Sequence, residues 1–78
     1  MDKFDRISTD RDVLGGKPCV RDTRISVAFL MELLASGGTP DSILADYPDL
    51  ERTDIEQAIG YAGWLADHER SFEIESAS

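Results

Sequence analysis

Cysteine occurs once in this chain, at Cys19, and histidine once, at His68. A single thiol excludes an intramolecular disulfide framework, and one Cys with one His cannot complete a zinc site. Basic side chains are scarce: 8 Lys and Arg stand against 16 Asp and Glu, giving a net charge of −8. With a pI near 4.3, that balance argues against indiscriminate binding of polyanions. Long hydrophobic runs are missing as well. The longest uncharged stretch, Gln57 to Ala66, is about half of the roughly 20 residues a membrane span needs. The opening Met1-Asp2-Lys3-Phe4-Asp5-Arg6 is charged and has no apolar region behind it, unlike a secretory signal. The expectation is a cytoplasmic protein with no membrane partner.

Length is the remaining shortage. With 78 residues the chain is expected to form a single domain over 1–78, without room for a catalytic and a separate regulatory unit. Hydrophobic residues are 41% and charged residues 31%, a globular balance rather than a disordered one. A chain this short buries only about 60% of its unfolded surface, so a partner or a second copy is a natural supplement.

Charge is divided along the chain. Residues 1–40 hold six bases and six acids, whereas residues 41–78 hold Arg52 and Arg70 against ten acids, so all of the −8 arises in the second half. Such a split suits two differently addressed surfaces, a mixed one able to meet phosphate and an acidic one able to meet a basic protein. The plainer alternative is that the acids solubilise helix exteriors.

Residues 1–25 read as a short β element and loop. Arg6-Ile7-Ser8-Thr9, Pro18-Cys19-Val20-Arg21 and Thr23-Arg24-Ile25 are short extended pieces around a turn-rich Asp10–Gly16. Asp22 is among the residue types that tolerate positive φ. Residues 26–70 then read as three helices. Ser26 caps a first helix, Val27 to Ser36, that is apolar nearly all round and ends at Gly37-Gly38. A helix of that kind is buried on more than one side, and a subunit interface is one available cover. Thr39-Pro40-Asp41 opens a short second helix that stops before Pro48. Thr53-Asp54-Ile55-Glu56 matches a capping box for a third helix that runs to about Ala66 or His68. Gly60 and Gly63 within it suit close approach of another helix. Residues 71–78 form an acidic tail that is either a frayed end or a strand formed against a partner. Helix, short helix, tight turn and longer helix outline a helix-turn-helix core, so the fold class is mainly α with short N-terminal β-strands.

In a helix-turn-helix the start of the last helix reads the major groove. Here that start holds Gln57, a familiar partner for adenine, among acids that repel phosphate. The stronger phosphate candidate is Gly15 to Arg24, where Lys17, Arg21 and Arg24 gather within eight residues and Thr23 adds a neutral donor. The alternative use of these cations is pairing with Asp22. Tyr61, Trp64 and His68 share one helical stripe, which serves packing or, if exposed, an interface. Arg70, Phe72 and Ile74, with Tyr61 and Trp64, are the expected partner-binding residues. No nucleophile–base–orienter set, no calcium-loop spacing and no Walker spacing is present, so neither an enzyme nor a cofactor or metal site is expected.

The run from Gly15 to Val27 resembles the signature of the DUF433 family, small bacterial proteins described as VapB-like antitoxins. The similarity continues through Leu33–Gly37, Thr39–Leu44, Tyr47–Leu50, Asp54-Ile55, Ala58 and Tyr61-Ala62, and so covers residues 6 to about 66. Asp22 stands where the family usually has Gly, and Glu51 where it often has a capping Thr or Ser. The resemblance implies a homeodomain-like helix-turn-helix core in the antitoxin half of a type II toxin–antitoxin pair. Its partner would be a PIN-like nuclease toxin; the over-apolar first helix adds the expectation of a homodimer, and the Lys17–Arg24 segment that of contact with operator DNA. A stand-alone helix-turn-helix transcription regulator is the alternative.

Overall fold

The computed structural model describes the backbone of residues 4–77 and the side chains of residues 4–68. It is mainly α, with a small antiparallel sheet near the N-terminus. β1 (Ile7–Ser8) and β2 (Cys19–Val20) come first, then α1 (Val27–Ala35), α2 (Pro40–Asp46) and α3 (Arg52–Ala77). The strands pair with Ile7 opposite Val20 and Ser8 opposite Cys19. The third extended piece expected from the sequence is reduced to a single bridge between Cys19 and Ser26. A turn explains the shortening: Thr23 N donates to Val20 O at 3.1 Å, with Asp22 at φ 65° inside it. A second turn of left-handed residues, Leu14, Gly15 and Gly16 at φ 50°, 67° and 89°, joins the strands from the other side.

Local chemistry sets the helix ends. Ser26 Oγ accepts from Phe29 N at 2.9 Å and starts α1. Gly37, at φ 100°, takes the left-handed conformation that ends it, and Gly38 N returns to Leu33 O at 2.9 Å. A Cβ on Gly38 would lie 2.8 Å from that same carbonyl oxygen. Thr39 and Ser42 cap α2 reciprocally, each side chain accepting from the other's backbone N–H.

α3 differs from the expectation at both ends. It begins at Arg52, and the capping role falls to Asp54 in place of the Thr53–Glu56 box: Asp54 Oδ2 accepts from Glu51 N at 2.8 Å. Asp54 is turned that way by Arg6, which holds its other oxygen. At the far end α3 continues to Ala77 instead of stopping near His68, so residues 71–77 are helical rather than extended. Nothing after Gly63 is a Gly or Pro, and without either breaker the acidic–apolar alternation does not impose a strand. The 26 residues measure about 39 Å at 1.5 Å per residue, most of the molecule's 44 Å long dimension.

The core is small. Val20, Val27, Leu30, Ile43, Leu50, Ile55 and Ala58 are its buried apolar members, with Leu30 and Ile55 fully enclosed. α1 lies mainly against α3. On α1 only Val27 and Leu30 are buried, while Phe29, Met31, Leu33 and Leu34 remain half-buried, so one chain does not fully cover this apolar helix. The expected helix–helix approach at the glycines is not what the structure has. Gly60 faces the ring of Phe4, and Gly63 has nothing within 4 Å of its would-be Cβ among the described residues.

Candidate functional site

The surface concavities include one built by the β element and one between α1 and α3. The first has a volume of about 310 Å³. Lys17, Arg21, Thr23 and Arg24, singled out from the sequence, all line it, together with Asp10 and Asp22. The fold brings them together because β2 carries Cys19 and Val20 between Lys17 on one side and the Val20–Thr23 turn on the other. Lys17, Arg21 and Arg24 are exposed. Thr23 is not a free donor: its hydroxyl donates to Val20 O at 2.8 Å and accepts from Ile25 N at 3.0 Å. Cys19 forms the floor, 2% exposed, and its thiol donates to Lys17 O at 3.3 Å. Burial pushes this thiol above its ordinary pKa, opposed by the positive charges of Arg24 and Lys17.

Gln57 sits elsewhere. Its Oε1 accepts from Arg6 N and its Nε2 donates to Asp5 Oδ1, both at 2.8 Å. That donation holds the Asp5 carboxyl below the usual carboxylate range. Both ends of the Gln57 amide are therefore engaged within the chain. Next to it, Arg6 Nε reaches Asp54 Oδ1 at 2.6 Å and Arg6 Nη2 reaches Glu51 Oε1 at 2.8 Å. These bonds raise the Arg6 pKa, the Asp54 bond most. They join the first strand to the start of α3. Neither Arg6 nor the buried Asp54 stood out in the sequence as a tethering pair, since nothing local links residues so far apart.

The second region is a groove of about 400 Å³ between α1 and α3, floored by Val27, Met31, Ala62 and Leu65 and edged by Ala28 and Ala66. Its lining is almost wholly apolar apart from Lys17 and Ser26 at one end. Sequence reasoning did not assign it. The available signal was the all-round apolar character of α1 facing the Ala-rich stretch of α3. Tyr61 and Trp64 do not line this groove and belong instead to an aromatic row: Phe4 meets Tyr61 edge-on at 5.4 Å, Tyr61 meets Trp64 at 5.7 Å and Trp64 meets His68 at 4.0 Å. His68 Nδ1 donates to Trp64 O at 2.8 Å, which turns its ring onto the indole. Tyr61 and Trp64 are half-buried, and the side chains of Arg70, Phe72 and Ile74 lie outside the described residues.

Among the described residues no group of three or more His, Cys, Asp and Glu is placed to hold a metal ion, and no helix is long and apolar enough to cross a membrane.

No curated protein matches the chain. The crystal structure of a DUF433 member protein from Anabaena variabilis ATCC 29413, at 2.00 Å resolution, is similar to it, with a TM-score of 0.72 and 29% sequence identity. The similarity covers 94% of this chain and 69% of that one. A family model described as protein of unknown function (DUF433) matches residues 7–62. That match spans well over half of the chain, from the first strand into the middle of α3, and the chain belongs to the DUF433 family.

Proposed function

We propose that this chain is a non-enzymatic binding protein, the antitoxin of a type II toxin–antitoxin pair. In this reading it works in the cytoplasm as a homodimer and neutralises a PIN-like ribonuclease by direct contact. The supporting observation is the α1/α3 groove. It is an apolar concavity beside a helix that a single chain leaves half covered. Apolar surface of this kind is the usual mark of a protein partner. The acidic second half of the chain adds complementarity to a basic RNA-cleaving surface.

The test is co-expression with the product of the adjacent gene. Relief of growth arrest and co-purification are expected, and Ala28→Glu with Ala66→Glu should abolish both. These two positions are exposed, so the fold survives their substitution. Failure of the unmodified chain to bind or to rescue growth removes the reading.

A second reading has its own observation. A stand-alone regulator, or an antitoxin that represses its own operon, needs cations aimed at DNA, and Lys17, Arg21 and Arg24 share one concavity. The short link from α2 to α3, residues 47–51, suits a helix-turn-helix. With the Gln57 amide engaged, contact through the N-terminal loop is favoured over base reading by α3. Operator binding that weakens steeply with salt tests this reading.

A further inference from the structure

The acidic composition makes the state of the cations informative. The chain as a whole carries twice as many acids as bases. Arg6 and Arg52 take acidic partners: Arg6 pairs with Glu51 and Asp54, and Arg52 with Asp41. Among the described residues, Arg11, Lys17, Arg21 and Arg24 form no ion pair. Three of these four line the same concavity. The positive charges of Arg24 and Lys17 both act on the Cys19 thiol on its floor.

We infer that this concavity, between the Leu14–Gly16 turn and the Val20–Thr23 turn, is a binding site for one phosphate group, held by Lys17, Arg21 and Arg24. Its volume of about 310 Å³ lies at the small end of the range for ligand sites. The arginine guanidinium groups present forked donors that match phosphate oxygens, and Lys17 adds a point charge. Thr23 contributes no hydrogen bond to the ligand because its hydroxyl is consumed by the turn. Two carboxylates also line the cleft. Asp10 Oδ1 is engaged by Asp12 N at 2.9 Å, whereas Asp22 makes no hydrogen bond or ion pair among the described residues and adds a repulsive charge to the lining. Three cations against two carboxylates leave a net charge of one, which suits a single phosphate better than a dense array of them. The site deepens the operator reading and is independent of toxin capture.

Titration of the full chain with sodium phosphate, followed by backbone amide NMR and matched against sodium chloride at equal ionic strength, tests the inference. Saturable shifts confined to the amides around Lys17–Arg24 are expected with phosphate only. Lys17→Ala with Arg24→Ala should weaken binding about tenfold. Asp22→Asn, which keeps a residue type at ease with positive φ, should tighten it about fivefold by removing that charge. Shifts that rise linearly and equally in both salts overturn the site, as does unchanged affinity in all these variants. A parallel arm uses a DNA duplex of about two helical turns at low salt. Competition between duplex and phosphate for the same amides assigns the group to a nucleic-acid backbone. Saturation by phosphate with no response to duplex assigns it to a free phosphate compound, leaving the site intact and removing the operator reading.

Discussion

Arg6 and Asp54 tie the N-terminal strand to the start of the longest helix: Nε and Oδ1 lie 2.6 Å apart, and Asp54 is 4% exposed. The same carboxylate accepts from Glu51 N, so one buried side chain caps α3 and anchors the strand. Asp54→Ala removes both functions and should cost about 2 kcal/mol, combining a lost helix cap with the loss of a charged hydrogen bond. Glu51 shares Arg6 from the surface, its side chain 70% exposed, so Glu51→Ala should change stability by under about 0.5 kcal/mol. Urea unfolding separates the two. Equal losses would show that the buried carboxylate holds no special place.

The two glycines of α3 should respond differently to alanine. Among the described residues nothing stands near a Cβ at Gly63, so Gly63→Ala should stabilise by about 1 kcal/mol through helix propensity alone. At Gly60 the new Cβ would lie 3.1 Å from Phe4 Cε1, so the ring must shift and the gain is reduced or reversed. Thermal unfolding of both variants checks this. Identical gains would place Phe4 away from the helix.

Asp22 occupies a turn position at φ 65° that favours Gly or Asn. Asp22→Val should therefore cost about 1–2 kcal/mol, because a β-branched side chain resists the left-handed region. Asp22→Gly should be close to neutral. A Val variant as stable as the parent would mean that the turn has another geometry.

The pH response has two ends. Asp5 ionises below the usual carboxylate range because Gln57 donates to it, so the folded chain binds fewer protons there than the unfolded one. Its contribution is present at neutral pH and is lost as pH falls through the lowered value. In Gln57→Ala the Asp5 carboxyl should titrate at higher pH, as read by carboxyl NMR. No movement would mean that the contact does not form.

Cys19 acts at the alkaline end. Its thiol is raised by burial, so the folded chain keeps the proton after the unfolded chain has released it. Its contribution is present below the ordinary thiol range and is lost as pH rises through the raised value. At pH 8 the native thiol should react slowly with maleimide and rapidly in urea. Fast native reaction would place Cys19 outside the core.

The sequence by itself determined the parts that depend on hydrogen bonds within three or four residues. Ser26 opening α1, Gly37 closing it, and Thr39-Pro40 opening α2 were all legible, as were short N-terminal strands and the mainly α class, while the pairing of Ile7 with Val20 was not. The clustering of Lys17, Arg21 and Arg24 was also legible, because neighbours in sequence stay neighbours across one short strand. Tertiary structure decided what those groups are free to do. Gln57 has the chemistry to read a base, yet Asp5 and Arg6, more than 50 residues earlier, take both ends of its amide. The start of α3 moved from Thr53 to Arg52 because Arg6 orients Asp54 across 48 residues. The α1/α3 groove exists only where two helices lie side by side. Periodicity and caps are short-range signals, whereas the pairing of distant side chains depends on how the chain closes on its core.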